Sequence, residues 1–221
     1  MAQTILTQIQ QQILRLLSQD KPFTANFYLT GGTALSEFYL HHRFSEDLDF
    51  FSETEIDQIW LNTISTKIAK QINASKDFQN SFNRNLVFFR IDNQVIKIEF
   101  TYFPMPQINH PQMINGIPID SELDIAVNKF FTIYQKPSAR HFIDLYLLLT
   151  TKKYVWNQLK QLAQTKFDTP IDPIQLGSQL IKAQDIIDLP NMLIDLSESL
   201  WRNYFIKKAK DLKTEIVSKK P

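Results

Sequence analysis

The chain has 221 residues, which suits one domain or two small lobes, and 43% of them are hydrophobic, with 17 Phe among them, enough for a sizeable core. A formal net charge of +1 does not mark a dedicated nucleic-acid binder, and the lack of cysteine excludes disulfides and thiolate metal sites. Met1 to Asp20 lacks the basic start and continuous apolar run of a signal peptide, and no run is long enough to span a bilayer, so a cytoplasmic protein with no membrane partner is expected.

Ile5, Leu6, Ile9, Ile13, Leu16 and Leu17 recur at helical spacing and predict an amphipathic helix over 3–18. A short buried strand is expected at 26–30, a helix from Thr33 to His41 and a second strand from Asp47 to Phe51. Residues 56–72 read as a helix with Ser52 or Thr54 as its N-cap. Two alternating runs, 82–91 and 94–102, flank Asp92-Asn93 and predict a hairpin. Pro104, Pro106, Pro111 and Pro118 then interrupt regular structure between 103 and 120, the expected boundary between lobes. Beyond it the pattern is helical, at roughly 121–135, 138–150, 153–167, 172–187 and 191–214. The expectation is an α+β N-lobe, residues 1–105, with an all-helical C-terminal lobe, residues 106–221.

The chemistry concentrates around one spacing. Gly31-Gly32-Thr33 precedes Asp47-Leu48-Asp49 by fifteen residues, and Glu99 lies in the later alternating run Val95 to Phe100. On a strand, Asp47 and Asp49 share one face while Leu48 and Phe50 turn to the core. Two adjacent carboxylates repel each other unless a cation or a proton stands between them. Mg²⁺ is the usual cation where the other ligands are waters and phosphate oxygens. Glu99 shares a face with Lys97, and a strand laid beside Asp47 and Asp49 would bring it to the same ion. The glycine turn offers backbone N–H groups at a helix start, an anion site. Each piece alone is ordinary, a solvated strand face or a plain turn. In this order they suit a nucleoside triphosphate with one or two divalent metals.

These residues resemble the AbiEii/AbiGii toxin family, which includes the MenT-like toxins and belongs to the DNA polymerase beta-type nucleotidyltransferases. The family's Gly-Gly-Thr-Ala-Leu turn matches Gly31 to Leu35, and its Arg-x-Ser-x-Asp-Leu-Asp-Phe matches Arg43 to Phe50. Asp124 and Lys129 match a later Asp-x4-Lys. Arg140, Asp144 and Leu145 match a final motif in part, with His141 where the family usually has Asp. The family's third carboxylate is often Asp and is Glu99 here. The resemblance covers roughly residues 24 to 150.

It implies a minimal nucleotidyltransferase fold, a mixed sheet flanked by helices, in the N-lobe. It further implies transfer of a nucleoside monophosphate from an NTP to an acceptor hydroxyl, tRNA, by the toxin of a toxin–antitoxin or abortive-infection system with a cognate antitoxin. Mg²⁺ or Mn²⁺ would be held by Asp47, Asp49 and Glu99, with Glu99 also the general base. Gly31, Gly32, Thr33, Arg43 and Ser45 would hold the nucleotide's phosphates, and Lys129 would neutralise phosphate charge. Two alternatives stand beside this, a transferase acting on a small molecule such as an antibiotic, and a nucleotide-binding module with little catalysis.

Other features have plain counterparts. Lys129 also fits an exposed helix lysine, Asp124 a helix-start carboxylate, and Arg140 with Asp144 an i, i+4 pair. His41, His42, His110 and His141 lack metal-ligand spacing, so no zinc site is expected. The segment from Trp201 to Pro221 has seven basic residues, Arg202, Lys207, Lys208, Lys210, Lys213, Lys219 and Lys220, against Asp211 and Glu215. It suits either a polyanion-guiding helix or a solvated one.

Overall fold

The computed structural model describes residues 4–217, with side chains described through Leu212. The chain divides into two compact units, Met1–Glu122 and Leu123–Pro221.

The first unit is built on a seven-stranded mixed sheet. Its strands are β1 (Tyr28–Thr30), β2 (Leu48–Ser52), β3 (Ser75–Ser81), β4 (Arg84–Ile91), β5 (Gln94–Tyr102), β6 (Gln112–Ile114) and β7 (Ile117–Ile119), in the order β3-β4-β5-β2-β1-β7-β6. The alternation of apolar residues decides which face is covered. Leu48 and Phe50 of β2, Ile98 and Phe100 of β5, and Val87 and Phe89 of β4 are all buried on one face.

Helices α1 (Gln8–Leu17), α2 (Lys21–Asn26) and α4 (Gln58–Gln71) supply the matching apolar residues, among them Ile13, Leu17, Phe23, Leu61, Ile64 and Ile68. Phe23 meets Phe50 edge-on at 5.0 Å, and Trp60 stacks on Phe27 at 4.9 Å. Thr7 and Gln10 form a reciprocal capping box that starts α1, later than the expected residue 3. Asp57, not Ser52 or Thr54, caps α4 by accepting from the N–H groups of Ile59 and Trp60. Ser52 instead closes a local turn with the carbonyl of Thr54.

Two departures from the expected elements have physical causes. The stretch 103–120, expected as a boundary, contributes β6 and β7 to the first unit's sheet. Pro118 lies opposite Met113 in β7, a strand of only three residues paired to β1 on one side and to the edge strand β6 on the other. The division therefore falls at 122/123, not 105/106. The edge strand β3 is almost wholly exposed and shows no alternation to read, and it forms because β4 offers an unpaired edge.

The second unit is all helical. It comprises α5 (Glu122–Gln135, entering from the last residue of the first unit), α6 (Ala139–Thr151), α7 (Trp156–Lys166), α8 (Pro173–Ile181) and α9 (Glu198–Val217). Phe130, Phe142, Trp201 and Phe205 are fully buried among these helices, and Phe131 stacks on Phe167. Residues 191–197 do not continue the last helix, which begins at Glu198. Among the described residues, no helix is long and apolar enough to cross a membrane.

Candidate functional site

The glycine turn sits where β1 ends. Helix α3 (Gly31–Leu35) follows directly and passes into a π-helical turn, Ser36–Leu40, that ends at His41 in a left-handed conformation. Gly31 itself has φ +73°, a region open to glycine at little cost. A Cβ at Gly31 would stand 2.7 Å from Asp49 Oδ2. One at Gly32 would stand 2.6 Å from Arg43 Nη2 and 2.9 Å from Ser45 Oγ. The two glycines are thus required by the close approach of the side chains of the downstream motif. The Thr33 hydroxyl completes the tie by donating to the backbone oxygen of Asp47.

The sheet register assembles the acidic residues. Strands β2 and β5 run parallel with Asp49 opposite Glu99, and Thr30 of the antiparallel β1 lies opposite Asp49 on the other side. Asp47, one residue before β2, faces Lys97 in the same register, and Lys97 Nζ donates to Asp47 Oδ2 at 2.7 Å. Glu99 is held more firmly. Arg84 Nε reaches its Oε1 and Nη2 its Oε2, each at 2.6 Å, and the Thr101 hydroxyl donates to Oε1 at 2.8 Å. Burial alone would raise the pKa of Glu99. The hydrogen bonds from Arg84 and Thr101, with the Arg84 and Lys97 charges, outweigh it and hold the carboxyl below its usual range.

The expected site residues therefore divide. Gly31, Gly32, Thr33, Arg43, Ser45, Asp47, Asp49 and Glu99 come together in the first unit. Arg43 is only 3% exposed and gives Nη1 to the carbonyl of Phe44, so it braces the turn from beneath instead of standing open to solvent. Among the described residues no group of three His, Cys, Asp or Glu is arranged to hold an ion as the side chains stand. Both oxygens of Glu99 are engaged by Arg84, so a metal-binding or base role for Glu99 would require that fork to shift.

Asp47 and Asp49 still fit a hard divalent cation. Mg²⁺ is commonly held by one or two carboxylates with phosphate oxygens completing the shell, and Asp47 already recruits a cation, the Lys97 ammonium.

Lys129 lies in the second unit, where its Nζ pairs with Asp144 Oδ2 at 2.8 Å. The phosphate contact that the resemblance implies would require it to leave that carboxylate. Lys166 makes a similar pair with Asp124 at 2.8 Å, with side chains 1% and 0% exposed. His141 is placed by a contact between its Nδ1 and Ser138 Oγ at the start of α6.

Several contributors escaped the sequence. Arg84 sits fifteen residues before Glu99, visible only through the hairpin register that pairs β4 with β5. Asp120 follows β7, is fully buried and accepts from the Thr30 hydroxyl at 2.6 Å. Its backbone oxygen accepts from Tyr39, whose phenol is pushed up to about 12 by burial, with Asp120 and Glu122 nearby. The signal for Asp120 was the short apolar run Ile117-Pro118-Ile119 ending on an acid, its strand character masked by the proline.

A family model described as the AbiEii nucleotidyl transferase toxin of type IV toxin–antitoxin systems matches residues 15–214. The uncharacterized protein aq_aa25 of Aquifex aeolicus (strain VF5) is 34% identical over 148 residues, 64% of this chain and 66% of that protein, so the match spans about two thirds of the relative's length. Among solved structures, JHP933 from Helicobacter pylori is similar with a TM-score of 0.56 at 20% identity, covering 95% of this chain and 94% of that one. MenT4, a nucleotidyltransferase toxin from Mycobacterium tuberculosis, is similar with a TM-score of 0.56 at 17% identity, covering 91% of this chain and 80% of that one.

Proposed function

This chain belongs to the AbiEii family of nucleotidyltransferase toxins of type IV toxin–antitoxin systems, and on that premise we propose that it transfers a nucleoside monophosphate from an NTP to a hydroxyl of tRNA. The observation that carries the proposal is the packing of Gly31 against Asp49 and of Gly32 against Arg43 and Ser45. It joins an anion-receptive turn to a cation-receptive carboxylate pair.

Each residue then has a part. The N–H groups of the Gly31-Gly32-Thr33 turn receive the triphosphate, and Arg43, braced beneath Gly32, adds a fixed positive charge to that turn. Ser45, also against Gly32, shapes the same backbone. Asp47 and Asp49 would hold Mg²⁺ or Mn²⁺, which when bound neutralises phosphate charge. The acceptor oxygen attacks the α-phosphorus in line, the α–β phosphoanhydride bond breaks, pyrophosphate leaves and the hydroxyl proton is released. Glu99, locked by Arg84 and Thr101, fixes the neighbouring strand that presents Lys97 to Asp47. Lys129 supports catalysis through its grip on Asp144 within the helical unit.

The tRNA acceptor and a cognate antitoxin partner belong to the same proposal, as does action in the cytoplasm. MenT4, similar in fold, is a nucleotidyltransferase toxin. Exposed Lys207 and Lys210 on α9 offer ionic contacts to a polyanion. Incubating the purified chain with Mg²⁺, each labelled NTP in turn and total RNA tests it. The expected result is label in tRNA-sized RNA from at least one NTP, abolished by the Asp47→Ala/Asp49→Ala double substitution. Absence of label with every NTP, or label surviving that double substitution, would overturn it.

A further inference from the structure

We infer that the free edge of the sheet, strand β3, is a self-association surface on which a second copy of this chain lays its own β3, antiparallel about a twofold axis through Phe78.

Strand β3 ends the sheet, and within it pairs only with β4. Register shows what its outer edge offers. The Tyr102 N–H donates to the carbonyl of Asn83, so Asn83 and every second residue after it turn their main-chain groups to β5, while Arg84, Leu86, Phe88 and Arg90 turn theirs to β3. Opposite those four stand Ser81, Gln79, Asp77 and Ser75. The N–H and C=O groups of the residues between, Lys76, Phe78 and Asn80, therefore point away from the sheet. Folded proteins guard such an edge with a charge, a proline or a bulge. Here β3 has no proline, and both of its charges are withdrawn. Lys76 Nζ donates to Asn62 Oδ1 at 2.8 Å, Thr66 Oγ1 at 2.9 Å and Ser65 Oγ at 3.1 Å on α4, and Asp77 pairs with Arg90 at 2.6 Å. Two aromatic rings stay uncovered instead. Phe78 is 44% exposed, and Phe82 is wholly exposed although it opens the β3–β4 turn at φ +59°, a strained region for a bulky residue.

The strand's own sequence selects the occupant. Alternating main-chain donors and acceptors fit an extended polypeptide, not a nucleic acid. Ser75-Lys76-Asp77-Phe78-Gln79-Asn80-Ser81 has Phe78 at its centre. Against a copy turned end for end, Phe78 meets Phe78, Asp77 meets Gln79, Lys76 meets Asn80 and Ser75 meets Ser81. No like charges are opposed, the two Phe78 rings meet on one face, and Lys76, Phe78 and Asn80 exchange about six main-chain bonds with the second strand. The same register sets Phe82 opposite Ala74 of the second copy, so the fully exposed ring also gains cover. A twofold contact of this kind closes on itself and needs only one patch per copy. The net charge of +1 sets little repulsion between copies.

Sedimentation equilibrium of the full chain tests this. An edge contact of this size lies at the weak end of protein interfaces, so the wild type should pass from one chain mass toward two between roughly 1 and 100 µM. Because the axis runs through position 78, Phe78→Lys and Phe78→Glu each set like charges against each other, and each alone should stay monomeric. An equimolar mixture of the two should regain the two-chain mass. Asn80→Pro deletes one outward N–H at a position where an edge strand accepts proline, and should weaken the wild-type association about tenfold or more. A wild type that stays monomeric throughout would overturn the inference and leave the edge to a strand of another protein. Dimers that survive in both charged variants, a mixture of folded variants that stays monomeric, or an unchanged association in Asn80→Pro would also overturn it.

Discussion

Gly31 and Asp49 approach so closely that a Cβ on the glycine would stand 2.7 Å from the Asp49 carboxylate oxygen. Contact is only half of the constraint, because the same residue has φ +73°. Gly31→Ala should therefore push Asp49 aside and strain the turn together, costing about 1 to 3 kcal/mol of stability. Nucleotide transfer should fall far more than that loss of stability explains, since the carboxylate itself is moved. Urea unfolding alongside labelled-nucleotide incorporation separates the two effects. A variant with wild-type turnover would show that Asp49 is not held in place by this contact.

The Arg84–Glu99 pair makes stability depend on pH in a definite direction. A carboxyl whose pKa is lowered in the folded state binds its proton less readily there than when unfolded. Its stabilisation is complete above the ordinary carboxylate range, near about pH 4.3, and is lost as pH falls to and through the depressed folded value. At pH 7 Glu99→Gln should cost about 1 to 2 kcal/mol, kept modest because Arg84 is half exposed. At a pH below that depressed folded value wild type and variant should converge. Denaturant midpoints at the two pH values check this, and a constant gap would mean that the pair is not what the substitution removes.

How much was legible follows from the range of each signal. The glycine turn, the Asp47-Leu48-Asp49 strand and the strand of Glu99 could be read because apolar alternation marks them within a few residues, as at Leu48 and Phe50 or Ile98 and Phe100. The partners of the carboxylates could not. Arg84 reaches Glu99 through hairpin register, and Asp120 reaches Thr30 through a parallel pairing that spans ninety positions. Helix ends slipped where side-chain caps decided them, as with Asp57 at α4. Lys129 looked like an exposed or phosphate-facing lysine because its carboxylate partner, Asp144, lies on another helix.

Only part of the basic C-terminal segment is available to a polyanion. Arg202 is tied to Glu198 and to the carbonyls of Ala183, Gln184 and Ile186, so it holds the fold. Lys208 lies over the Trp156 and Tyr204 rings, while Lys207 and Lys210 are exposed. The side chains of Lys213, Lys219 and Lys220 lie outside the described residues. Neutralising Lys207 and Lys210 together should raise the apparent KM for RNA and lower the salt slope by up to about 2, leaving NTP affinity unchanged. Identical salt slopes for wild type and variant would show that RNA docks elsewhere.

Asp124 and Lys166 form a deeply buried ion pair of the helical unit, 2.8 Å apart with both side chains essentially inaccessible. Asp124 is on α5 and Lys166 ends α7, so the pair joins two helices whose apolar contacts, such as Phe130 against Trp156, run alongside it. Burial makes such a pair asymmetric: its net worth is small, but removal of one member leaves a charge in a site that cannot solvate it. Lys166→Met should therefore destabilise the protein by about 3 to 5 kcal/mol. Asp124→Asn should cost a similar amount, because the lysine is left behind. Combining Lys166→Met with Asp124→Leu removes both charges and should recover a large part of the loss, the two effects being far from additive. Thermal or urea denaturation of the three variants decides it. Strict additivity would mean that the two side chains are not coupled, and that the cost of each substitution comes from packing alone.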